Sequence, residues 1–317
     1  MKCHICGNEQ RNTLHYPKEM MYGLRESFEY QCCGECGMVQ ITAIPEALGN
    51  YYGDEYSSFK KNRETLLPPL LAKLRACRTR HYLGNADPLG ALISLFSRRP
   101  PYFDWVAPFN LTLNSSILDV GCGSGGLLLK LRREGFTDLL GVDLFLAETR
   151  EYACGVRILA ASLDQVTRCF DLIMLHHSLE HMPDQHAALA SVRERLNPGG
   201  GVLIRIPMAN CYAHRRYGVH WAAWDPPRHL YLHTVRSLHH LAKMHGFAVF
   251  DVRYDSGTEG ILGSEYYQRD IPRVEWPNAD RSGTFSPQTR KAAEDLARQL
   301  NTIQDGDTAC FYLRPIQ

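Results

Sequence analysis

Residues Ile117–Gly126 read ILDVGCGSGG, and the fold follows from what that stretch does. Ile117–Val120 is a short apolar run of the kind that makes a buried strand. The glycines at 121, 123, 125 and 126 then form a loop, and Gly126–Glu134 (GLLLKLRRE) carries leucines at helical spacing. Strand, glycine loop and helix in that order open a nucleotide-binding βαβ unit. Downstream, LLGVD at 139–143 predicts a second strand, and FDLIMLH at 170–176 a third. A helix over Asp184–Leu196 and a turn at Asn197–Gly201 lead to a strand at Val202–Ile206. Helix Val235–His245 precedes strand Ala248–Tyr254, and Ala309–Leu313 closes the series. Strands alternating with helices predict an α/β fold, a doubly wound, Rossmann-like sheet of seven strands spanning 105–317.

Residues 51–104 read as a helical linker or cap. Leu66, Leu70, Leu71 and Leu74 predict a helix over 63–83, and the Pro- and Gly-containing stretch Asn85–Pro101 reads as a connector with a helical turn or two. Residues 257–305 form a long insertion before the last strand, with Glu265, Tyr266 and Tyr267 in an aromatic-polar cluster. Long loops are usually functional or disordered, so we read it as a substrate cap.

Residues 1–50 carry two C-x-x-C-G knuckles, Cys3-His-Ile-Cys6-Gly7 and Cys33-Gly-Glu-Cys36-Gly37. Four thiolates at ~2.3 Å satisfy tetrahedral Zn²⁺, and each knuckle presents two of them on one tight turn. The pattern predicts a zinc ribbon with a structural ion on Cys3, Cys6, Cys33 and Cys36. Cys32 adjoins Cys33, but only Cys33 gives the two-residue spacing to Cys36.

Among 317 residues, 44% are hydrophobic and 22% charged, with a net charge of +1. That balance lacks the field of a general nucleic-acid or membrane-surface binder. The start MKCHICGNEQ lacks a basic region followed by an apolar run, and no stretch approaches the ~20 apolar residues of a membrane span. An odd total of 11 cysteines fits reduced thiols, so the expected location is the cytoplasm.

The glycine loop is ambiguous on its own, because Gly121, Gly123 and Gly126 also satisfy the dinucleotide fingerprint G-x-G-x-x-G with Asp143 near the ~20-residue offset. Asp119 favours S-adenosylmethionine (SAM), since a carboxylate two residues before the first glycine is placed for the cofactor's ammonium. Asp143, at the tip of the second strand, is placed to accept hydrogen bonds from both ribose hydroxyls.

Taken together, DVGCGSGG at 119–126, LLGVD at 139–143, FDLIMLHHSLEHMPD at 170–184 and LNPGGGVLIRIP at 196–207 resemble class I SAM-dependent methyltransferases. The ribbon and the segment YYGDEYSS before this domain resemble bacterial methyltransferases of sugars, glycans or secondary metabolites. The resemblance implies that Gly121, Gly123 and Asp143 contact SAM, with Cys122, Gly125 and Leu144 beside them and His176 and His177 near the methyl donor. Many relatives carry an acidic residue before Leu163 for the adenine amino group. Here AASLDQV replaces it, leaving Ser162 and Leu163 to serve through backbone and packing, with Asp164 the weaker substitute. Zinc-containing sugar C-methyltransferases also resemble the N-terminus, but they carry a further C-terminal domain that 317 residues do not accommodate.

For the acceptor, His181 at the end of FDLIML is the expected general base, because histidine titrates near neutrality. Glu180 is the candidate to orient it, and His229 a further catalytic candidate. Trp221, Trp224, Asp225 and Arg228, with Tyr56, are the expected substrate contacts: aromatic faces for a sugar and Arg228 for phosphate. An equally weighted reading makes Arg228–Asp225 a structural ion pair in a packed lid. The expected activity is methyl transfer to a small acceptor, a nucleotide-linked sugar or glycan among the candidates, at oxygen rather than carbon. The alternatives are an NAD-dependent oxidoreductase and a zinc-ribbon RNA-binding or adaptor protein with a degenerate domain. Oligomeric state is not legible.

Overall fold

The computed structural model describes residues 1–53, 64 and 67–316; Tyr56 lies outside them. Three short strands, β1 (Thr13–His15), β2 (Tyr30–Cys32) and β3 (Val39–Ile41), form an antiparallel meander between and beyond the two knuckles. Helices α1 (Pro69–Tyr82), α2 (Pro88–Ser94) and α3 (Tyr102–Val106) follow. Each of the first two begins with proline at its first turn, where a missing N–H costs nothing, and Asp87 caps α2 by accepting from Gly90 N at 2.8 Å. Within the connector Asn85–Pro101, where a helical turn or two is expected, α2 spans seven residues.

The main domain runs β4 (Ser116–Val120), α4 (Gly126–Arg133), β5 (Asp138–Val142), β6 (Arg150–Glu151), β7 (Arg157–Leu159), β8 (Phe170–His176), α5 (Gln185–Glu194), β9 (Leu196–Pro207), α6 (Tyr212–Tyr217), β10 (Tyr231–Leu232), α7 (Val235–Met244) and β11 (Phe247–Tyr254). It ends with α8 (Ser264–Gln268), α9 (Trp276–Arg281), α10 (Pro287–Thr302) and β12 (Thr308–Pro315). The sheet order is β11-β12-β9-β8-β4-β5-β7-β6. Its centre is parallel, and β12 inserts antiparallel between β9 and β11. The expected seven strands are present, and the two-residue strand β6, antiparallel to β7, adds an eighth. Every residue of β4 is buried, and β8 is buried from Leu172 to Leu175; a central parallel strand covered on both faces requires that apolar run.

Two findings depart from the sequence reading. The segment 257–305 is largely helical rather than a loop. Its α8–α10 enclose a small core of Ile261, Leu262, Tyr266, Phe285, Ala293, Ala297 and Leu300. It leans on the N-terminal module through Arg273 N to Met20 O (2.8 Å) and Val274 N to Met21 O (3.0 Å). The ribbon is not a separate sheet either: β10, from within the main domain, pairs with β3 as its fourth strand.

Candidate active site

At the C-terminal ends of β4 and β5, the backbone shapes a nest. Gly121 has φ +71°, and a Cβ there would lie 2.4 Å from the Ser178 Cβ. Any side chain is excluded by strain and by space. Asp143, after β5, uses Oδ2 to accept from Gly123 N (2.8 Å) and Oδ1 to accept from Phe145 N (2.9 Å). These bonds fix the carboxylate at the loop, and each oxygen keeps a second lone pair for a hydroxyl donor. Asp119 is 3% exposed, and its Oδ1 has no partner. Burial, with the Asp143 charge nearby, pushes its carboxyl up to about 8. Leu144 is exposed, whereas Ser162 and Leu163 form a turn closed by Gln165 Oε1 on Ser162 N (3.0 Å). Cys122 sits against Gly141, packed below the loop.

At the end of β8 lies a second cluster of polar side chains. Four buried side-chain atoms without a partner cluster on β4, β8 and the turn that follows: Asp119 Oδ1, His176 Nδ1, Ser178 Oγ and Glu180 Oε2. Buried polar atoms are nearly always satisfied in a folded protein, so such a cluster marks a place where a ligand supplies the partners. His177 carries φ +53°, a conformation that costs a β-carbon residue energy and concentrates at functional sites. Its Nδ1 lies 3.3 Å from Glu180 Oε1, and Arg205 donates to its Nε2. Arg205 in turn grips Asp255 (2.7 Å), which accepts from Trp105 Nε1 (2.8 Å). Trp105, Arg205 and Asp255 were not picked out from the sequence, since nothing in their spacing ties them to His177.

His181 Nδ1 donates to Arg228 O at 2.9 Å, with Tyr52 Oη 3.2 Å away. Burial, then the neighbouring His229, lower its imidazolium pKa to about 4. His229 Nδ1 donates to Ala223 O at 2.8 Å, and the two rings meet edge to face with centroids 4.8 Å apart. A carbonyl only accepts, so each imidazole carries a proton on Nδ1 and turns Nε2 the other way, that of His229 to 3.9 Å from Asp225 Oδ2. Glu180 is 1% exposed; burial pushes its acid up, but the hydrogen bond with His177 and the nearby His181 and His229 hold it down at about 2. Tyr52 stacks on Phe145 at 5.2 Å, bringing the segment before the described gap across both halves of the site. YYGDEYSS had drawn attention to this region, but through Tyr56.

The expected substrate contacts Trp221, Trp224 and Arg228 lie in the interior, 0%, 1% and 0% exposed. Trp224 donates to Gly218 O and packs edge to face on Tyr30, and Trp221 stacks on His214. The Arg228 guanidinium donates to Glu19 (2.8 Å), Asp225 (2.6 Å) and Tyr51 O (2.9 Å). All three guanidinium nitrogens thus have a partner among the described residues. Glu19 also accepts from Met21, Tyr22 and Leu24 N. The packed-lid reading is the one the geometry matches, and Ser264 Oγ braces it from behind through Ala222 N (2.9 Å).

The four knuckle cysteines converge, with Cys3–Cys36 sulfurs 3.6 Å and Cys6–Cys33 sulfurs 3.5 Å apart. Four Zn–S bonds of ~2.3 Å place tetrahedral sulfurs about 3.8 Å apart, so the set fits zinc. Gly7 and Gly37 turn at φ +74° and +71°. Cys32 points instead toward Gly37 O.

A central parallel sheet, a glycine nest beside a strand-tip carboxylate and antiparallel strands at one edge define the Rossmann-like fold of class I methyltransferases. A family model described as a methyltransferase domain matches residues 74–252. The chain belongs to that family. Among known proteins it is 29% identical over 127 residues to the ubiquinone biosynthesis O-methyltransferase of Methylococcus capsulatus, covering 37% of this chain and 53% of that one. It is 26% identical to phosphoethanolamine N-methyltransferase 1 of Arabidopsis thaliana, covering 54% and 36%. The chain thus spans about half the length of the first of these relatives and less of the second. Among solved structures, phosphoethanolamine N-methyltransferase 2 of Haemonchus contortus aligns at 15% identity with TM-score 0.45, covering 96% of this chain and 68% of that one.

Proposed function

We propose that the chain transfers a methyl group from SAM to an oxygen of a small acceptor. The observation that carries this reading is the orphaned Asp119 carboxyl, 3% exposed, within the glycine nest closed by Asp143. A cationic amino group is the partner that a buried, unpaired carboxyl lacks, and a nicotinamide dinucleotide offers the nest only phosphate. Asp143 holds the ribose, Gly121 and Gly123 admit the cofactor against backbone, and His176 and His177 border its reacting end. When bound, SAM supplies an activated methyl group on a sulfonium.

The chain's own part is positioning, an effect worth up to ~7–11 kcal/mol, and removal of the acceptor proton. The open Nε2 atoms of His181 and His229 are placed to take it, with Glu180 beside them. The nucleotide-linked sugar and glycan readings lean on Trp221, Trp224 and Arg228. With those three in the interior, what supports the acceptor class is the paired imidazoles, which suit a hydroxyl. The four-cysteine cluster supports a structural zinc. No described helix is long and apolar enough to cross a membrane.

Calorimetric titration with SAM, S-adenosylhomocysteine and NAD tests the cofactor. Micromolar binding of the first two and none of NAD is expected. NAD binding alone would sink the reading.

A further inference from the structure

We infer that Glu180, His181 and His229 form a second metal site, distinct from the ribbon cysteines, which takes a divalent first-row transition ion and chelates an acceptor bearing neighbouring oxygens. The inference rests on the methyl-transfer reading and sharpens its substrate class.

One donor atom from each of the three residues lies within 4.8 Å of the other two. Metal–ligand bonds of ~2.0–2.2 Å are reached from there by small side-chain rotations. The residues come from distant places: Glu180 and His181 follow β8, and His229 precedes β10.

What surrounds the three residues suits metal ligands better than a lone base. A ligating histidine needs its far ring nitrogen held by a carbonyl or carboxylate. His181 Nδ1 is held by Arg228 O at 2.9 Å and His229 Nδ1 by Ala223 O at 2.8 Å, which aims both Nε2 lone pairs away from the backbone. Glu180 is 1% exposed, and its Oε2 has no partner. Its Oε1 is occupied by His177 at 3.3 Å, and Arg205 and Asp255 hold His177 in turn. A buried carboxylate with one oxygen tied and the other bare is costly unless something positive meets it. A divalent cation supplies that charge and uses both Nε2 lone pairs.

Two histidines and one carboxylate leave coordination positions open. There the ion binds two oxygens of the acceptor and lowers the pKa of the hydroxyl it touches. That hydroxyl loses its proton to solvent, and an oxygen lone pair forms the new O–CH₃ bond. The S–CH₃ bond breaks with its electrons going to sulfur, giving S-adenosylhomocysteine. The ion is neither oxidised nor reduced.

Co²⁺ is the probe. Full-length protein with zinc in the ribbon is titrated with CoCl₂, reading the visible d–d bands and the thiolate charge-transfer band separately. SAM affinity is measured on the same samples. The expected result is one Co²⁺ bound without a thiolate band, weakened at least ~10-fold in Glu180→Gln and in His229→Ala, with SAM affinity kept within ~2-fold in both; 10–100-fold is the usual scale for losing metal-site support. Retained SAM binding shows that the variants fold. Wild-type protein that binds SAM but shows no d–d bands at millimolar Co²⁺ would overturn the metal site and leave methyl transfer standing. Co²⁺ binding unchanged in both variants would overturn it too. Failure to bind SAM would strike the functional reading instead.

Discussion

The two ends of the site are built differently. The cofactor end is made by one stretch of chain: Gly121, Gly123 and Asp119 lie within a few residues, and Asp143 joins them from the adjacent strand through Gly123 N at 2.8 Å. The acceptor end is made by four segments far apart in sequence. Tyr52 comes from before the main domain, His177 to His181 from the end of β8, Arg205 from β9, and Asp225 to His229 from the turn before β10. Backbone shape suffices for a cofactor that never changes, whereas an acceptor is read by side chains that must be brought together. The N-terminal module does part of that gathering. Its sheet is completed by Tyr231–Leu232, two residues beyond His229, and its buried Glu19 holds Arg228.

The largest way to break this comparison is to remove the zinc proposed for the four-cysteine cluster. Structural zinc binding is worth ~10–16 kcal/mol in small modules, so chelation should unfold the meander and release β10 with it. We expect turnover to fall by at least ~100-fold, while SAM affinity, set at the far side of β4, changes less than ~3-fold. Zinc release, turnover and SAM titration on one sample check this. Equal loss of both would mean that the two ends are not separable.

Next in size is Arg228→Ala. It leaves Glu19 and Asp225 buried with unmatched charge, a change that costs ~3–5 kcal/mol. Chemical denaturation should show that loss, with turnover depressed through a displaced His181, whose Nδ1 is held by the Arg228 carbonyl. A near-neutral effect would return Arg228 to the role of free substrate contact.

Asp143→Ala sharpens the comparison from the cofactor side. Removing a carboxylate that serves two ribose hydroxyls should cost ~2–3 kcal/mol, or roughly 100-fold in SAM affinity. Melting temperature should fall only slightly, and unchanged affinity would refute the ribose assignment.

The same contrast explains what the sequence disclosed. Strand β8 is legible at both ends because a doubly covered parallel strand must be apolar throughout; FDLIMLH runs Phe170–His176 as expected. The knuckles are legible because zinc geometry dictates their spacing. The helices of 257–305 were read as a loop because α10 (PQTRKAAEDLARQLNT) buries only Ala293, Ala297 and Leu300, a stripe too small-sided to stand out. Trp221, Trp224 and Arg228 mislead for a related reason. A cluster of large aromatic and charged residues looks the same in one dimension whether it faces a ligand or fills an interior, and only the partner at position 19 decides. Trp105, Arg205 and Asp255 carry no local signal because they come together from α3, β9 and the end of β11.

Asp119 provides the subtlest test, since it sets stability against binding. Its carboxyl pKa is raised from 3.8 to about 8. Between those values the folded chain holds a proton that the unfolded chain has lost, so this group's contribution to stability falls as pH rises. His214 and His233 act oppositely: burial lowers each from 6.5 to about 4. In that window the unfolded chain binds more protons, so stability rises with pH. Above pH 6.5 the histidine effect is spent and Asp119 remains. The melting temperature of the ligand-free protein should therefore decline from pH 6.5 to 8, and Asp119→Asn should flatten the decline. At pH 8 that variant should gain about 1–3 kcal/mol, the scale of an unsatisfied buried group. It should also bind SAM more weakly, because it has lost the charge that meets the ammonium. Saturating SAM should flatten the wild-type decline as well, by supplying the missing partner. A variant that is stabilised yet binds SAM as tightly as before would detach Asp119 from the cofactor and leave its burial without a functional cause.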